Sequence, residues 1–347
     1  PDDKQLLVFN YVSVTDNQLY LIDIAEGSLR KLTDSSVPVS YEGLKFAPDG
    51  RLWAASDDGS DVKRLGIVNL ETSLFEPLVD EKIWDIASFD ISPDGRWIAY
   101  EVNHAGRSVL KFYDVKSGDI RTVDALPSGV ISGVKFAPWG ELGLTLNSNR
   151  TGIDAYSVKP DTLAVTRWTR SETGGLDAAD NVAPELVEIA SFDGEKMSGF
   201  LYRPNLARHK GKRPLIINIH GGPEGQATAR FLGRDNYLIN ELGIAIFYPN
   251  VRGSTGFGKR FVSLDNGPWQ RENSVLDIGA FLDHLRKDRR IDRKRIAVTG
   301  GSYGGYMTLA AMLRYGKRLK AGLEIVGISN FVTFLENTQA YRRDLRR

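Results

Sequence analysis

The sequence predicts a partial β-propeller followed by an α/β domain. Three observations carry this reading. A turn motif recurs at equal spacing in the first half. Strand and helix patterns alternate in the second half. A Gly-x-Ser-x-Gly segment there joins an apolar strand to a helix.

The repeat comes first in the chain. Phe46-Ala47-Pro48-Asp49-Gly50 recurs as Ile91-Ser92-Pro93-Asp94-Gly95 and as Phe136-Ala137-Pro138-Trp139-Gly140, with the glycines 45 residues apart both times. Proline presets φ and glycine tolerates the closing position, so each Pro-x-Gly suits a tight turn. An apolar strand follows each turn: Leu52-Trp53-Ala54-Ala55, Trp97-Ile98-Ala99-Tyr100 and Leu142-Gly143-Leu144. Leu19 to Asp23, Leu65 to Asn69 and Leu110 to Asp114 form a second recurring set, and a further unit starts at Pro1. Several short strands per unit of this length read as propeller blades, about four of them over residues 1–170. An open antiparallel sandwich is the competing architecture; equal spacing with matching strand patterns argues against it. Asp57, Asp58, Asp61 and Glu101 fall at blade loops, where a calcium or amine site is conceivable and solvated turn acids are the plainer reading. Residues 171–184 are polar, carry Gly174-Gly175 and read as the link to a second domain over 185–347.

In that domain the stretches 186–190 and 199–202 suggest a hairpin around Asp193-Gly194. Leu215 to Ile219 is almost continuously apolar, as in a strand buried on both faces. Ile244 to Tyr248, Ile296 to Val298 and Gly322 to Val326 are further strands. Val275, Leu276, Ile278, Phe281, Leu282 and Leu285 recur at helical spacing over 274–285. Gly300-Gly301-Ser302-Tyr303-Gly304 then leads from a strand into a second helix. The motif alone is weak in a chain with 35 glycines. Its strand-to-helix setting is that of a nucleophile elbow, in which a strained turn exposes the serine hydroxyl. A phosphate-binding loop is the alternative, but no Gly-Lys-Ser/Thr follows. The fold class is therefore a partial β-propeller plus an α/β-hydrolase domain. His220-Gly221-Gly222-Pro223 closes the strand ending at Ile219, where this architecture places one oxyanion-hole amide; the residue after the nucleophile supplies the other. Those are Gly222 and Tyr303, with Ser302 as the nucleophile. His220 sits on the oxyanion side, so it is read as shaping its loop rather than as the general base.

Composition excludes several function classes. The formal net charge is +1, which gives no electrostatic footprint for nucleic acid. With no cysteine, neither a disulfide scaffold nor a Cys nucleophile nor Cys-ligated zinc is open to this chain. No apolar run reaches the roughly 18 residues of a membrane helix. The compartment stays undetermined.

Together, Gly300-Gly301-Ser302-Tyr303-Gly304-Gly305, His220-Gly221-Gly222-Pro223 and Asn250-Val251-Arg252-Gly253-Ser254-Thr255-Gly256-Phe257-Gly258, after a propeller, resemble the prolyl-oligopeptidase family of serine peptidases. The details are most similar to its acylaminoacyl-peptidase and dipeptidyl-peptidase branches. The resemblance implies hydrolysis of short peptides by acyl-enzyme chemistry at Ser302, with the propeller restricting access and no cofactor or metal. It implies a pocket for the residue before the scissile bond at Ile328, Phe331 and Phe334, for which ordinary core is an equal reading. Arg252, inside a family motif, is open to a substrate-binding or a structural role. A homo-oligomer is left open.

The resemblance stops short at one point. In this fold the order along the chain is Ser, then Asp or Glu, then His. His104, His209, His220 and His284 all precede Ser302, and Asp344 follows it too closely. Pro1 and the Arg346-Arg347 end both look cut, and the resemblance implies that the triad Asp and His lie on loops after two further strands, beyond residue 347. In subtilisin, loss of the triad histidine costs on the order of 10⁶ in kcat. The expectation is that this chain alone is inactive. An esterase on the same elbow and a non-catalytic propeller interaction protein are the competing functions; the intact elbow and the His220–Pro223 loop argue against the second.

Overall fold

The computed structural model describes residues 4–33 and 37–338. Pro1, where the first repeat unit was placed to begin, and Asp344 lie outside them. The chain divides into two compact units: residues 1–146, 153–170 and 256–259, and residues 147–152, 171–255 and 260–347.

The first unit follows the repeat. Among the described residues it contains a three-stranded sheet (Gln5–Ser13, Asp16–Asp23, Leu29–Lys31) and then four-stranded sheets built from consecutive strands. These run Tyr41–Phe46 to Phe75–Val79, Ile86–Ile91 to Ile120–Thr122, and Gly129–Phe136 to Val165–Arg167. The repeated motif forms the turn the sequence predicts. Gly50, Gly95 and Gly140 take φ of +84°, +71° and +87°, and their amides donate to Ala47, Ser92 and Ala137 at 2.8–2.9 Å. Only glycine adopts such φ without penalty, which explains its return at every repeat. The apolar cores lie between successive sheets. One of them gathers Trp97, Leu110, Phe112, Phe136 and Leu142, with Phe112 edge-on to Trp97 (6.1 Å) and to Phe136 (6.3 Å).

Of the blade-loop acids, Asp61 is exposed and Asp58 half-buried, while Asp57 and Glu101 depart from the solvated reading. Asp57 is 2% and Glu101 7% exposed. Asp57 accepts the Ser40 amide at 2.8 Å. Glu101 accepts the Ser88 hydroxyl at 2.8 Å and that of Ser108, and burial pushes its carboxyl above the usual range. Both acids serve as internal hydrogen-bond acceptors.

The second unit is built on one six-stranded sheet. Its order is Glu185–Ala190, Lys196–Tyr202, Ala245–Asn250, Arg213–Ile219, Ile291–Gly301, Ala321–Ile325. The first two pairings are antiparallel and the rest parallel. Helix Asn273–Leu285 buries Val275, Ile278, Phe281, Leu282 and Leu285, with Phe281 packed on Phe247 at 4.8 Å. Leu276, counted on the apolar face by spacing, is only half-buried, and Asp277 turns inward instead. In helix Tyr303–Tyr315, Met307, Thr308 and Ala311 are buried, while Leu313 is 90% exposed. Spacing missed the short helices Asp235–Asn240, Lys259–Ser263 and Phe331–Asn337, which span too few turns to show a period.

Truncating a fully buried aromatic should show how far the blades share stability. Phe112→Ala is expected to lower unfolding free energy by about 3–5 kcal/mol, read as a shift of the urea midpoint.

Candidate active site

The strand Ile291–Gly301 reverses into the helix Tyr303–Tyr315 through a single residue, Ser302, at φ +57°, ψ −119°. A non-glycine residue there holds strain of about 1–3 kcal/mol, tolerated only when its surroundings leave no alternative. The surroundings are tight. A Cβ at Gly300 or Gly304 would run into the carbonyl of Ile219, and one at Gly305 would lie 2.5 Å from the Cα of Gly327. Main-chain bonds fasten the turn: the Ser302 amide donates to Ile325 O (3.0 Å) and the Tyr306 amide to Ser302 O (3.1 Å). Ser302 itself is exposed.

The loop after Ile219 lies against this turn. A Cβ placed on Gly221 would sit 3.5 Å from Ser302 Cβ and 3.2 Å from Gly301 O. Gly222, next in the loop, takes φ +127°. Tyr303 is the first residue of the elbow helix, so its amide has no partner within the helix. The structure thus brings Ser302, Tyr303 and the His220–Gly222 loop to one place.

His220 is occupied in holding that loop. Its Nδ1 lies 2.8 Å from Gly221 O and its Nε2 3.0 Å from Ser254 Oγ. A carbonyl only accepts, so Nδ1 donates to Gly221 O, while the Ser254 hydroxyl beside Nε2 gives its own proton to Val251 O at 2.6 Å. Burial lowers its pKa, which favours the neutral form. Among the described residues, none of the four histidines is hydrogen-bonded to Ser302.

Arg252 is engaged inside the fold. Its Nε and Nη2 donate to Asp277 at 2.9 and 2.8 Å, and its Nη1 and Nη2 to Asp193 at 2.9 and 3.1 Å. Asp277 also accepts the Arg252 amide (3.1 Å) and the Ser191 hydroxyl (2.5 Å). Burial works to lower the Arg252 pKa, but its bonds to Asp277 and Asp193 outweigh that and raise it. These carboxylates occupy all three guanidinium nitrogens, tying the 250–254 loop to the hairpin turn and to helix Asn273–Leu285.

The expected pocket residues take intermediate positions. Phe331 and Phe334 are half-buried and meet edge-on at 6.3 Å. Phe331 also meets Tyr306 of the elbow helix edge-on at 4.8 Å. Ile328 is half-buried ahead of that aromatic row.

A second buried polar group lies around Tyr303. Tyr303 is 2% exposed, and its hydroxyl lies 3.0 Å from Asp265 Oδ2 and 3.0 Å from Ser274 Oγ. Asp265, wholly buried, also accepts from Arg271 Nη1 at 2.9 Å. Burial pushes Asp265 up to about 6, against the lowering effect of Arg271. Burial, then the charge of Asp265, raises the Tyr303 phenol, which stays neutral. The contact from Asp265 to Tyr303 spans 38 residues, beyond the reach of any local pattern.

Comparison with known proteins follows from this geometry. The Prolyl oligopeptidase family profile matches residues 231–345, which include the elbow and the Arg252 motif. That segment of the chain is similar to the prolyl oligopeptidase family. The chain is 33% identical over 389 aligned positions to Dipeptidyl aminopeptidase BIII of Pseudoxanthomonas mexicana, covering 94% of this chain and 55% of that protein. It is 25% identical over 328 positions to Dipeptidyl-peptidase 5 of Porphyromonas gingivalis, covering 92% and 47%. The crystal structure of puromycin hydrolase superposes with a TM-score of 0.87 at 20% identity, covering 99% of this chain and 54% of that one. That likeness shows the shared fold, a propeller with an α/β-hydrolase domain. The chain spans about half the length of these relatives.

Two measurements probe the buried charges. Arg252→Met leaves Asp277 buried without its cation and is expected to lower stability by about 3–5 kcal/mol in urea unfolding. For Asp265, the folded pKa of about 6 stands above the ordinary carboxylate range. Its contribution to stability is therefore full below the ordinary value and lost as pH rises through the folded one. Asp265→Asn removes this loss, so from about pH 4 to pH 7 the variant's urea midpoint should gain steadily on that of the parent.

Proposed function

We propose that this chain is the propeller and nucleophile portion of a serine peptidase acting on short peptides. Ser302 Oγ attacks the scissile carbonyl and forms an acyl-enzyme. The amides of Tyr303 and Gly222 receive the oxyanion, and water releases the acyl group. The observation that carries the reading is the exposed, strained Ser302 at a strand–helix turn with the His220–Gly222 loop in contact beside it. The dipeptidyl-peptidase names of the relatives support peptide over ester substrates. Phe331, Phe334 and Tyr306 form an aromatic row for the side chain before the scissile bond, with Ile328 beside it, and the propeller restricts access to small substrates. Arg252 is assigned to holding the 250–254 loop, since its donors are taken up by Asp193 and Asp277.

The proton relay needs a base that takes the Ser302 proton and returns it to the leaving amine. None of this chain's four histidines serves: His220 is committed to its loop, and none is bonded to Ser302 among the described residues. The base is supplied from outside these 347 residues, and this chain alone is inactive.

The test is to express this chain and, separately, the complete reading frame that encodes it, each with a Ser302→Ala control. Dipeptidyl-arylamides and arylesters are the substrates. The complete product should cleave arylamides, and Ser302→Ala should lower kcat by about 10⁴-fold or more. Turnover by this chain that depends on Ser302 would overturn its inactivity. Turnover that survives Ser302→Ala would overturn the nucleophile, and cleavage confined to arylesters would mark an esterase.

A further inference from the structure

We propose that Asp265 is a positioning residue for acyl transfer: through the Tyr303 hydroxyl it fixes the first peptide of the elbow helix, whose amide faces the oxyanion. This rests on the reading of Ser302 as the nucleophile and extends it to a residue outside the expected site.

The first N–H groups of a helix have no partner inside it, and helix ends fray. An oxyanion donor at that position is useful only if it is already aimed when charge develops. Tyr303 is anchored at both ends. Its main chain belongs to the turn, and its hydroxyl donates to Asp265 Oδ2 at 3.0 Å with Ser274 Oγ packed 3.0 Å away. Ser274 is itself fixed, donating to Arg271 O at 2.8 Å. The rigid ring turns on only two torsions, so holding its hydroxyl restrains the Cα and the amide beside it. The Arg271 guanidinium, 5.6 Å from the ring centre, closes the other side.

Asp265 Oδ1 is buried and accepts no hydrogen bond among the described residues. Burying an acceptor unsatisfied is costly, more so for a charged group. A site that needed only packing would be served by a neutral side chain. Instead the carboxylate is enclosed: Gly253, at φ +90°, passes so close that a Cβ there would lie 2.5 Å from Oδ1. The charged groups facing Asp265 are Arg271, from its own loop, and Glu224, from the His220–Pro223 side of the site; Tyr303 faces it from the elbow helix. An ionised acceptor gives Tyr303 a stronger and shorter-leashed bond than a neutral one. That is a reason to keep a costly group beside a catalytic amide.

The experiment is a double-mutant cycle of Asp265→Asn and Tyr303→Phe in the product of the complete reading frame, with Ser302→Ala alongside. A misaimed oxyanion donor weakens the transition state and leaves ground-state binding intact. Each single variant should lose about tenfold in kcat, a fraction of what deleting a donor costs, with KM within about twofold. The double variant should also lose about tenfold rather than about a hundredfold, because both changes break one linkage. If Asp265→Asn fails to fold, Tyr303→Phe carries the test by the same split between kcat and KM. The proposal is overturned by a folded variant with parental kcat, by an effect confined to KM, or by an additive double variant. Turnover that survives Ser302→Ala would defeat the underlying nucleophile reading instead, so the two failures are distinct.

Discussion

The constraint on which the second unit depends is the close approach of three pieces of backbone around Ser302. The strand ending at Gly301, the helix starting at Tyr303 and the strand ending at Ile219 come together so tightly that Gly300 and Gly304 have no room for a Cβ. Ser302 has no conformation to fall back on and is held at φ +57°. Its hydroxyl is exposed as a consequence, and the loop that follows Ile219 is delivered beside it. The glycines of the motif are thus steric requirements of the turn, and the strain at Ser302 is the local cost of aiming one side chain.

Around that turn the fold uses buried charge as fastening. Arg252, Asp277 and Asp193 bind a loop, a helix and a hairpin turn; Asp265, Arg271 and Ser274 bind the segment before that helix to Tyr303. Each set joins loop residues to a helix of the sheet domain. A bidentate guanidinium fixes direction as well as distance, which a hydrophobic contact does not. The consequence is that loops bearing no period in the sequence are held as firmly as the elements they join.

The propeller half works by different means. Each turn closes through a glycine at positive φ, and the cores lie between sheets, so each blade depends on its neighbour. Polar groups such as Asp57 and Glu101 are absorbed between strands and satisfied by Ser40, or by Ser88 and Ser108.

The sequence by itself determined what depends on spacing and local sterics. The glycines at Gly50, Gly95 and Gly140, the apolar strands and the helix over 273–285 were all legible, because a turn or a periodic face is decided by residues a few positions apart. Gly300 to Gly304 was legible too, since the turn needs those residue types in that order. What only the tertiary structure decided is which polar side chains are buried and against what. Arg252 meets Asp193 across 59 residues, and Tyr303 meets Asp265 across 38. Asp277 turned inward and Leu276 partly outward, although spacing gave the face to the leucine. The physical reason is that a charged residue's solvation is set by whichever distant segments the sheet order brings beside it. No local pattern in the chain encodes that neighbourhood.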